Sequence, residues 1–402
     1  MDRLYIAHQG EMPQVDEIRW LVNAISKGKY IALAGHPGNG KSSALRFVAD
    51  ILRKPVSGRT CSQHEQEFNY LGRPKTNENN VTAYTGTEFT KALREGRIFL
   101  NEESSQMPRH MQKFLSTLLT DDFLDFVVLK EDGSEAPLRE MRDEEDWKVD
   151  DFVYTETFNP PVNHTGRDGF ELSHKSRMSP FNFCDLDSLL GAYVALERLG
   201  DDTLDLPLKE RGVVYRGKGK EITLTEKVGD NWKTTKGEDL DEEDIEQQVT
   251  YKFFDRSLLK EGSVKDELIA KLDEKGEFYV KYLKFLTAVR GMVDKEGIIY
   301  DSLATESKDL MSSDSGKHET LEVVYPDQRI LQEGFQEYQS WTEHLSPEDA
   351  MHAATYSMLD KILSGSMRFR LLNGKSQEKY LRSTASSVGL IPIPEDGTNE
   401  GE

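Results

Sequence analysis

The feature that most constrains this chain is a glycine-rich loop between an apolar segment and an amphipathic one. Residues 30–34 (YIALA) predict a buried strand, and residues 43–52 predict a helix. In a loop of this kind, glycines let backbone N–H groups turn inward around phosphates, a lysine adds positive charge and a serine hydroxyl can bind Mg²⁺. The order of strand, loop and helix therefore predicts nucleoside triphosphate binding, with Ser42 as a metal ligand. The predicted binding residues are Gly35, His36, Pro37, Gly38, Asn39, Gly40, Lys41, Ser42 and Ser43.

A second apolar strand, predicted at residues 97–100, ends in Asn101 and Glu102. Hydrolysis of a triphosphate needs one carboxylate near Mg²⁺ and another group to orient the attacking water. Glu102 suits the second task and is a catalytic candidate. Asn101 stands where the first carboxylate is expected, so we assign it to the metal site although it carries no charge.

Three further segments follow in the order that a triphosphate site requires. Asn159 comes at the end of a predicted third strand and is placed to reach the γ-phosphate, with Pro160 and Pro161 fixing the chain behind it. Arg177 precedes a predicted last strand at residues 181–184, and an arginine at a subunit edge can act on a neighbour's nucleotide. Arg329 opens a C-terminal helix and is a candidate nucleotide contact from a lid.

Composition limits the class of protein. The 402 residues predict two or three domains, and the net charge of −21 disfavours nucleic acid as the main partner. No apolar run approaches the ~20 residues of a membrane span, and no secretory signal opens the chain. The two cysteines, Cys61 and Cys184, have no ligand-like spacing and are expected to be buried or idle thiols in a reducing cytoplasm.

The pattern predicts four regions along the chain. They are an α/β nucleotide-binding core at 1–187, a helix and charged β-rich insertion at 188–250, a helical lid at 251–385 and an acidic, disordered tail at 386–402. Within them, residues 56–86 are expected to be irregular, the acidic run 143–146 to be a solvated loop, residues 122–138 to form a hairpin and residues 237–244 to be a linker.

Taken together, these motifs resemble those of the AAA+ ATPases, and within them the MoxR-like group that also includes CbbQ, NorQ and GvpN proteins. The likeness covers residues 13–187 well and residues 320–365 loosely. Besides the glycine-rich loop and Glu102, it is carried by Thr87–Gly96, Pro108, Gln112, Thr157–Pro161, Leu172–Arg177 and Arg329.

The resemblance implies an α/β P-loop AAA+ core with a parallel sheet flanked by helices, followed by a helical lid with a small β insertion. It implies ATP and Mg²⁺ as ligands, Asn159 as first sensor, Arg177 as arginine finger and Arg329 as second sensor. It also implies a homohexameric ring that remodels a protein partner in a chaperone-like manner, often a partner with a von Willebrand A domain. Asn101 departs from the family pattern.

Two alternatives stay open at the level of sequence. One is an NTPase motor subunit of a nucleic-acid defence system, similar to the McrB GTPases, although no basic module is visible for it. The other, motivated by Asn101, is a switch that holds nucleotide and scarcely hydrolyses it. The choice between ATP and GTP is also open, because a P-loop contacts phosphates and not the base.

Overall fold

The computed structural model describes most of the chain and divides it into two compact units. The described residues are 5–8, 16–28, 30–36, 38–76, 82–120, 123–130, 134–159, 177–183, 186–201, 204–216, 221–234, 247–259, 262–293, 328–363, 371–372 and 375–392. One unit comprises Met1–His36, Gly40–Phe183 and Leu208–Asp255, and the other comprises Pro37–Asn39, Cys184–Pro207 and Arg256–Glu402.

The strands and helices are numbered here in chain order. The strands are β1 Ile6–Ala7, β2 Ile31–Ala34, β3 Val56–Thr60, β4 Arg73–Thr76, β5 Thr82–Thr85, β6 Ile98–Glu102, β7 Val127–Leu129, β8 Glu135–Pro137, β9 Val153–Phe158, β10 Ser179–Asn182, β11 Leu208–Arg216, β12 Glu221–Val228, β13 Asn231–Thr234, β14 Gln247–Phe254, β15 Leu371–Leu372 and β16 Lys375–Ser376. The α-helices are α1 Glu17–Ser26, α2 Lys41–Ile51, α3 Phe68–Leu71, α4 Glu88–Glu95, α5 Arg109–Leu118, α6 Leu138–Glu145, α7 Ser188–Arg198, α8 Gly262–Lys275, α9 Glu277–Val293, α10 Gln328–Thr342, α11 Pro347–Ile362 and α12 Gln377–Ser387.

The first unit is built on a five-stranded parallel sheet in the order β10-β2-β9-β6-β3. Because successive side chains of a strand point to opposite faces, each strand contributes to two cores. On one face, Ile31, Leu33, Ile98, Leu100 and Val153 pack with apolar residues of α1 and α2. On the other face, Ala32, Phe99 and Tyr154 pack with apolar residues of α4 and α5. The predicted α/β fold with a parallel sheet flanked by helices is confirmed.

Strand β3 corrects the expectation that residues 56–86 are irregular. Val56–Thr60 pairs in parallel with β6 along its whole length and forms an edge of the sheet. Its sequence, VSGRT, is polar because an edge strand has less of its surface to bury. Gly58 is required there, since a Cβ at this position would lie 2.6 Å from the carbonyl oxygen of Leu100.

A second five-stranded sheet belongs to the same unit, in the order β1-β14-β11-β12-β13. Strands β11, β12 and β13 lie within residues 188–250, the region predicted to be β-rich. Strand β14 was not expected. Residues 251–254 belong to this strand, so the prediction that the chain is helical from residue 251 is wrong for them. Val213, Tyr215, Tyr251 and Phe253 of this sheet join the core that α1 and α2 form with the parallel sheet, and this burial outweighs the many charges of the segment.

A buried ionic cluster fastens the second sheet to the start of α1. Arg211 is 2% exposed, and its Nη1 donates to Asp16 Oδ2 at 2.6 Å. The carboxylate of Asp16 also caps α1 by accepting from the backbone N–H of Arg19 at 2.8 Å, and it accepts from the hydroxyl of Tyr251 at 3.0 Å. The guanidinium of Arg211 lies 3.5 Å from the ring centroid of Phe253. One carboxylate therefore caps the start of a helix and pairs with a residue of the second sheet at the same time.

The acidic run at 143–146 was expected to be a loop, but Asp143, Glu144 and Glu145 form the last turn of α6, and Asp146 follows as its C-cap in the left-handed conformation. Leu138 and Met141 anchor this helix in the core. The acidic side chains project into solvent, where Arg142 pairs with Asp143 at 2.8 Å. The charges are therefore compatible with a helix, because none of them has to be buried.

The second unit is helical, as predicted for the C-terminal region. An aromatic cluster of Phe278, Tyr279, Tyr282, Phe335 and Tyr338 joins α9 and α10. Gln328 Nε2 donates to the carbonyl of Gly191 at 2.7 Å, which joins α10 to α7. The predicted disordered tail at 386–402 is described only as far as residue 392, and there Ser386 belongs to α12 and Leu390 and Ile391 are buried; residues 393–402 lie outside the described residues. In the part of the chain that the structure describes, no helix is long and apolar enough to cross a membrane.

The predicted domain boundaries at residues 187, 250 and 385 stay a prediction. The observed division places the strands of residues 208–254 with the parallel sheet, and it places α7 with the C-terminal helices.

Candidate nucleotide-binding site

The glycine-rich loop leaves the carboxyl end of β2 and enters α2 at Lys41, as the sequence predicts. Gly35 has φ +148° and packs so closely on Phe183 that a Cβ would lie 2.6 Å from the carbonyl oxygen of that residue. Gly40 precedes the helix in the left-handed conformation, with φ +83°. The first helical bond follows at once, since the N–H of Ala44 donates to Gly40 O at 2.8 Å. Only glycine adopts this path without strain.

The ammonium of Lys41 lies where the loop and β9 meet. Its Nζ donates to Gly35 O at 2.6 Å, to His36 O at 2.7 Å and to Asn159 Oδ1 at 3.0 Å. Lys41 and Asn159 are both buried. A hydrogen bond from Gly35 N to Phe158 O, at 3.3 Å, joins the loop to the same strand end. The structure therefore brings together the predicted phosphate-binding lysine and the predicted first sensor, which are separated by 118 positions in the sequence.

Glu102 lies at the carboxyl end of β6, on the side of the sheet that carries α2. Alternation along the strand places it with Ile98 and Leu100, which pack against α2. Its carboxylate is 3.4 Å from Arg46 Nη2 on α2, and the two side chains are 30% and 52% exposed. An ion pair this exposed is weak and exchangeable. A cavity of about 540 Å³ opens beside the pair, and Lys54, Arg59 and Thr60 also contribute to its lining.

Asn101 points to the opposite face of the sheet and is fully buried. Its Nδ2 donates to the hydroxyl of Tyr154 at 2.7 Å, and its Oδ1 accepts from the hydroxyl of Tyr70 at 3.1 Å. Tyr154 donates to the carboxylate of Glu156 and therefore accepts from the amide N–H group, so the end of the amide that faces Tyr70 is the oxygen. Tyr70 in turn contacts Cys61 Sγ at 3.8 Å. Cys61 is a buried free thiol, as expected, and burial raises its pKa. Cys184 lies outside the described residues.

Glu156 is a buried acidic residue that sequence reasoning missed. It is fully inaccessible in the middle of β9, and the hydroxyl of Tyr154 donates to its Oε1 at 2.6 Å. Burial, followed by the charge of Glu156, raises the pKa of Tyr154 well above its ordinary value, so this hydroxyl keeps its proton. The signal was present in the sequence: residues 153–158 (VYTETF) place one carboxylate inside an otherwise buried strand, where an unpaired charge is costly.

The oxygen donors at this edge suit Mg²⁺, which binds few protein oxygens together with phosphates and water. The Ser42 hydroxyl at the start of α2 is half-buried, and the carboxylate of Glu102 is partly exposed. Asn101, the other predicted metal residue, is fully buried on the opposite face of the sheet, where its Oδ1 accepts from the hydroxyl of Tyr70. Within the described ranges, no group of three or more His, Cys, Asp or Glu side chains is arranged to hold a metal ion. A magnesium ion here would be held mainly by Ser42 and phosphate oxygens.

The other predicted residues are placed as follows. His36 and Asn39 are buried in the loop, Gly38 has φ +80°, Ser43 is exposed on α2, and Pro37 lies outside the described residues. Arg177 is exposed, and its Nη1 donates to the carbonyl of Ser116 on α5 at 2.8 Å. Arg329 is exposed in the first turn of α10 in the second unit.

Comparison with known proteins agrees with this geometry in the core. Residues 31–160 match the family model described as AAA domain (dynein-related subfamily). The match begins at β2 and ends just after Asn159, so it contains the loop, Glu102 and the predicted first sensor. The coarse prediction of an AAA+ domain is confirmed for these residues. No curated protein sequence matches the chain.

Two solved structures show partial similarity. A candidate ATPase from Cytophaga hutchinsonii ATCC 33406 is 18% identical, with a TM-score of 0.35, over 47% of this chain and 51% of that one. NtrX from Brucella abortus is 13% identical, with a TM-score of 0.32, over 48% of this chain and 44% of that one. The chain thus spans about half the length of each of these proteins.

Proposed function

We propose that this chain hydrolyses a nucleoside triphosphate, with ATP as the first candidate, at the loop from Gly35 to Ser42. The observation that carries the proposal is the hydrogen bond between Lys41 Nζ and Asn159 Oδ1, at adjacent carboxyl ends of parallel strands. Ligands of open α/β sheets bind at this edge. The AAA domain match over residues 31–160 supports the same assignment.

In this proposal, each residue of the site has a separate task in the binding and hydrolysis of the triphosphate. The loop N–H groups and the N-terminus of α2 favour the phosphates, and Lys41 adds a positive charge. Asn159 and Glu102 orient the attacking water, and Ser42 would hold an Mg²⁺ ion that would neutralise charge on the phosphates. Lys41 has to exchange its bonds to the carbonyls of Gly35 and His36 for bonds to phosphate. This exchange is favourable because a charged acceptor binds an ammonium more strongly than a neutral one.

We extend the proposal to a homohexameric ring in the cytoplasm, in which Arg177 acts on the nucleotide of a neighbouring subunit and Arg329 acts from the lid. The exposure of Arg177 supports this role, since its single described bond, to the carbonyl of Ser116, is readily exchanged. The ring would remodel a protein partner in a chaperone-like manner, and a partner with a von Willebrand A domain is the first to test. The family resemblance supports this part of the proposal.

Two substitutions test the chemistry separately. Lys41→Ala removes the phosphate-binding charge and should abolish binding of a fluorescent ATP analogue, while Lys113→Ala, an exposed lysine on α5, should bind as the parent does. Glu102→Gln should keep binding and stop phosphate release, while the adjacent Glu103→Gln should turn over normally. Undiminished binding by Lys41→Ala would show that the loop does not bind the nucleotide. Undiminished turnover by Glu102→Gln would show that Glu102 does not orient the attacking water.

Assembly is tested by light scattering after size-exclusion chromatography, with and without ATP and MgCl₂. A particle of six subunits is expected with nucleotide, and Arg177→Ala should lose turnover while still binding nucleotide. A chain that stays monomeric at every concentration would contradict the trans role of Arg177.

A second candidate is a nucleotide-dependent switch with slow hydrolysis. The observation that favours it is that Asn101, uncharged and fully buried, is bonded to two tyrosines. A purified ring that binds ATP and releases almost no phosphate would support the switch. Sustained turnover of many ATP molecules per subunit would exclude it.

A further inference from the structure

We propose that Tyr5 is a positioning residue, which holds Gly40, the last glycine of the nucleotide-binding loop, in place at the start of α2. Lys41 and Ser42 follow Gly40 directly, so its position sets theirs. This inference rests on the proposed function, because it concerns the same loop. Tyr5 lies outside residues 31–160, the part of the chain that matches the AAA domain, so the match gives it no role.

Tyr5 is in direct contact with the loop. A Cβ on Gly40 would lie 3.7 Å from the hydroxyl oxygen of Tyr5 and 3.9 Å from its Cε2. Apart from the glycine's chain neighbours and its own helix backbone, no other described atom lies within 4 Å of that position. A glycine has no side chain that restricts its backbone, so the neighbouring ring has to do so. Gly40 is held in the left-handed conformation, with φ +83°, beside this ring.

The side chain of Tyr5 is itself fixed at both ends. Its ring stacks on Phe47 of α2, with centroids 5.4 Å apart and an angle of 19° between the planes. Its hydroxyl donates to Glu17 Oε1 at 3.0 Å, and this fully buried carboxylate also accepts from the backbone N–H of His8 at 3.1 Å. A hydrogen bond to a carboxylate is stronger than one to a neutral acceptor. Burial, followed by the charge of Glu17, raises the pKa of Tyr5 well above its ordinary value, so the hydroxyl keeps the proton that it donates.

The second sheet carries Tyr5 to the loop. Strand β1, which follows Tyr5, pairs in parallel with β14, with Ile6 opposite Lys252. Tyr251 of β14 packs edge-on against Phe47, with centroids 6.3 Å apart. The ring of Phe47 on α2 is therefore in contact with both strands. This arrangement gives the second sheet a task at the nucleotide site, which is to fix the loop at its junction with α2.

The alternative is that Tyr5 only stabilises the core. Tyr215 provides a matched control, because its hydroxyl donates to the carbonyl of Ile51 at the opposite end of α2. A purely structural hydroxyl changes the unfolding midpoint and leaves the affinity of the folded protein for phosphates unchanged. A positioning hydroxyl changes that affinity, and it does so only at the end of α2 that meets the loop.

The experiment measures how ATP, and separately inorganic tripolyphosphate, displaces a fluorescent ATP analogue from the full chain in MgCl₂. Tripolyphosphate has neither base nor sugar, so it reports on the phosphate-binding loop alone. Tyr5→Phe keeps the ring and removes the hydroxyl. It should weaken both competitors by the same factor of about two to ten, the range for loss of one hydrogen bond. Tyr215→Phe should keep the parent's affinity for both, and the unfolding midpoint of each variant shows that the folded protein is being measured.

The outcomes separate the inference from the proposed function. Parent affinity of Tyr5→Phe for both competitors would overturn the inference, and so would an equal loss in Tyr215→Phe. Weaker binding of ATP with unchanged binding of tripolyphosphate would also overturn it, since Tyr5 would then contact the base or the sugar. A parent protein that binds neither competitor would instead overturn the proposed function. Should Tyr5→Phe not fold, Phe47→Leu, which removes the ring that Tyr5 stacks on, decides by the same comparison.

Discussion

The substitution Tyr154→Phe tests the buried network with the fewest atoms changed, since it removes one hydroxyl from the core. That hydroxyl accepts from Asn101 Nδ2 at 2.7 Å and donates to Glu156 Oε1 at 2.6 Å. In the variant, the buried amide N–H of Asn101 loses its acceptor and the buried carboxylate oxygen of Glu156 loses this donor. The phenylalanine ring retains the stacking on Phe99, so packing changes little.

The magnitude follows from the groups left behind. A buried neutral group that loses its bond costs about 1–3 kcal/mol, and a charged group costs more, so Tyr154→Phe should lower the free energy of unfolding by about 3–5 kcal/mol. Tyr70→Phe leaves chiefly Asn101 Oδ1 and should lower it by about 1–3 kcal/mol. Tyr356→Phe, at a residue 41% exposed, is the matched control and should change it by less than about 0.5 kcal/mol.

Urea unfolding followed by tryptophan fluorescence measures these differences, because Trp20 packs on Phe181 of the parallel sheet with ring centroids 5.0 Å apart. The order expected for the loss of stability is Tyr154→Phe, then Tyr70→Phe, then Tyr356→Phe. If Tyr154→Phe is no less stable than Tyr70→Phe, the hydroxyl does not join two buried polar groups and the reasoning fails.

Three other predictions concern the proposed catalytic carboxylate, the loop and pH. Arg46→Ala should free Glu102 from an exposed pair of at most about 1 kcal/mol, and so raise the rate of phosphate release by no more than about fivefold; a large loss of turnover would show that Arg46 itself contacts nucleotide. Gly35→Ala should abolish binding of the ATP analogue because its Cβ would meet the carbonyl oxygen of Phe183 at 2.6 Å. Gly28→Ala should bind normally, because its Cβ meets no described atom within 4 Å and it carries only the backbone strain of a φ of +61°. Hydrogen bonds from Lys227 and then Lys252 lower the pKa of Glu210, so this carboxylate stabilises the fold above its unfolded pKa of about 4.3, and the contribution is lost as pH falls through the lower folded value. Glu210→Gln should therefore weaken the loss of thermal stability on acidification, and an unchanged pH profile would contradict this.

Much of the core could be predicted because its signals are local. A buried strand, the glycine-rich loop and an amphipathic helix follow each other within residues 30–52, and the structure has β2 and α2 there. The polar ends of β6 and β9 were visible for the same reason. Parallel strands end at one edge of a sheet, so the contact between Lys41 and Asn159 follows from that pattern.

The features that the sequence did not predict depend on tertiary context, which a local sequence pattern does not contain. Strand β3 is polar because it is an edge, and Gly58 is explained only by the carbonyl of Leu100 beside it. Strand β14 owes its conformation to pairing with β11, which lies more than thirty positions earlier. Asn101 looked like a weakened metal ligand, and only the packed structure shows that Glu156 and two tyrosines surround its amide.

The bond between Arg211 and Asp16 also has a consequence for how the chain matures on the ribosome. The partners are 195 positions apart, and at typical elongation rates the second is made about 10–40 s after the first. During that interval the helix that begins after Asp16 has its capping carboxylate, but lacks Val213, Tyr215, Tyr251 and Phe253, which complete its core. The nucleotide-binding half of the nascent chain therefore presents apolar surface until residue 254 has emerged. Chaperones that bind nascent chains should therefore bind this part of the chain most strongly after Asp16 has emerged and before Phe254 has emerged.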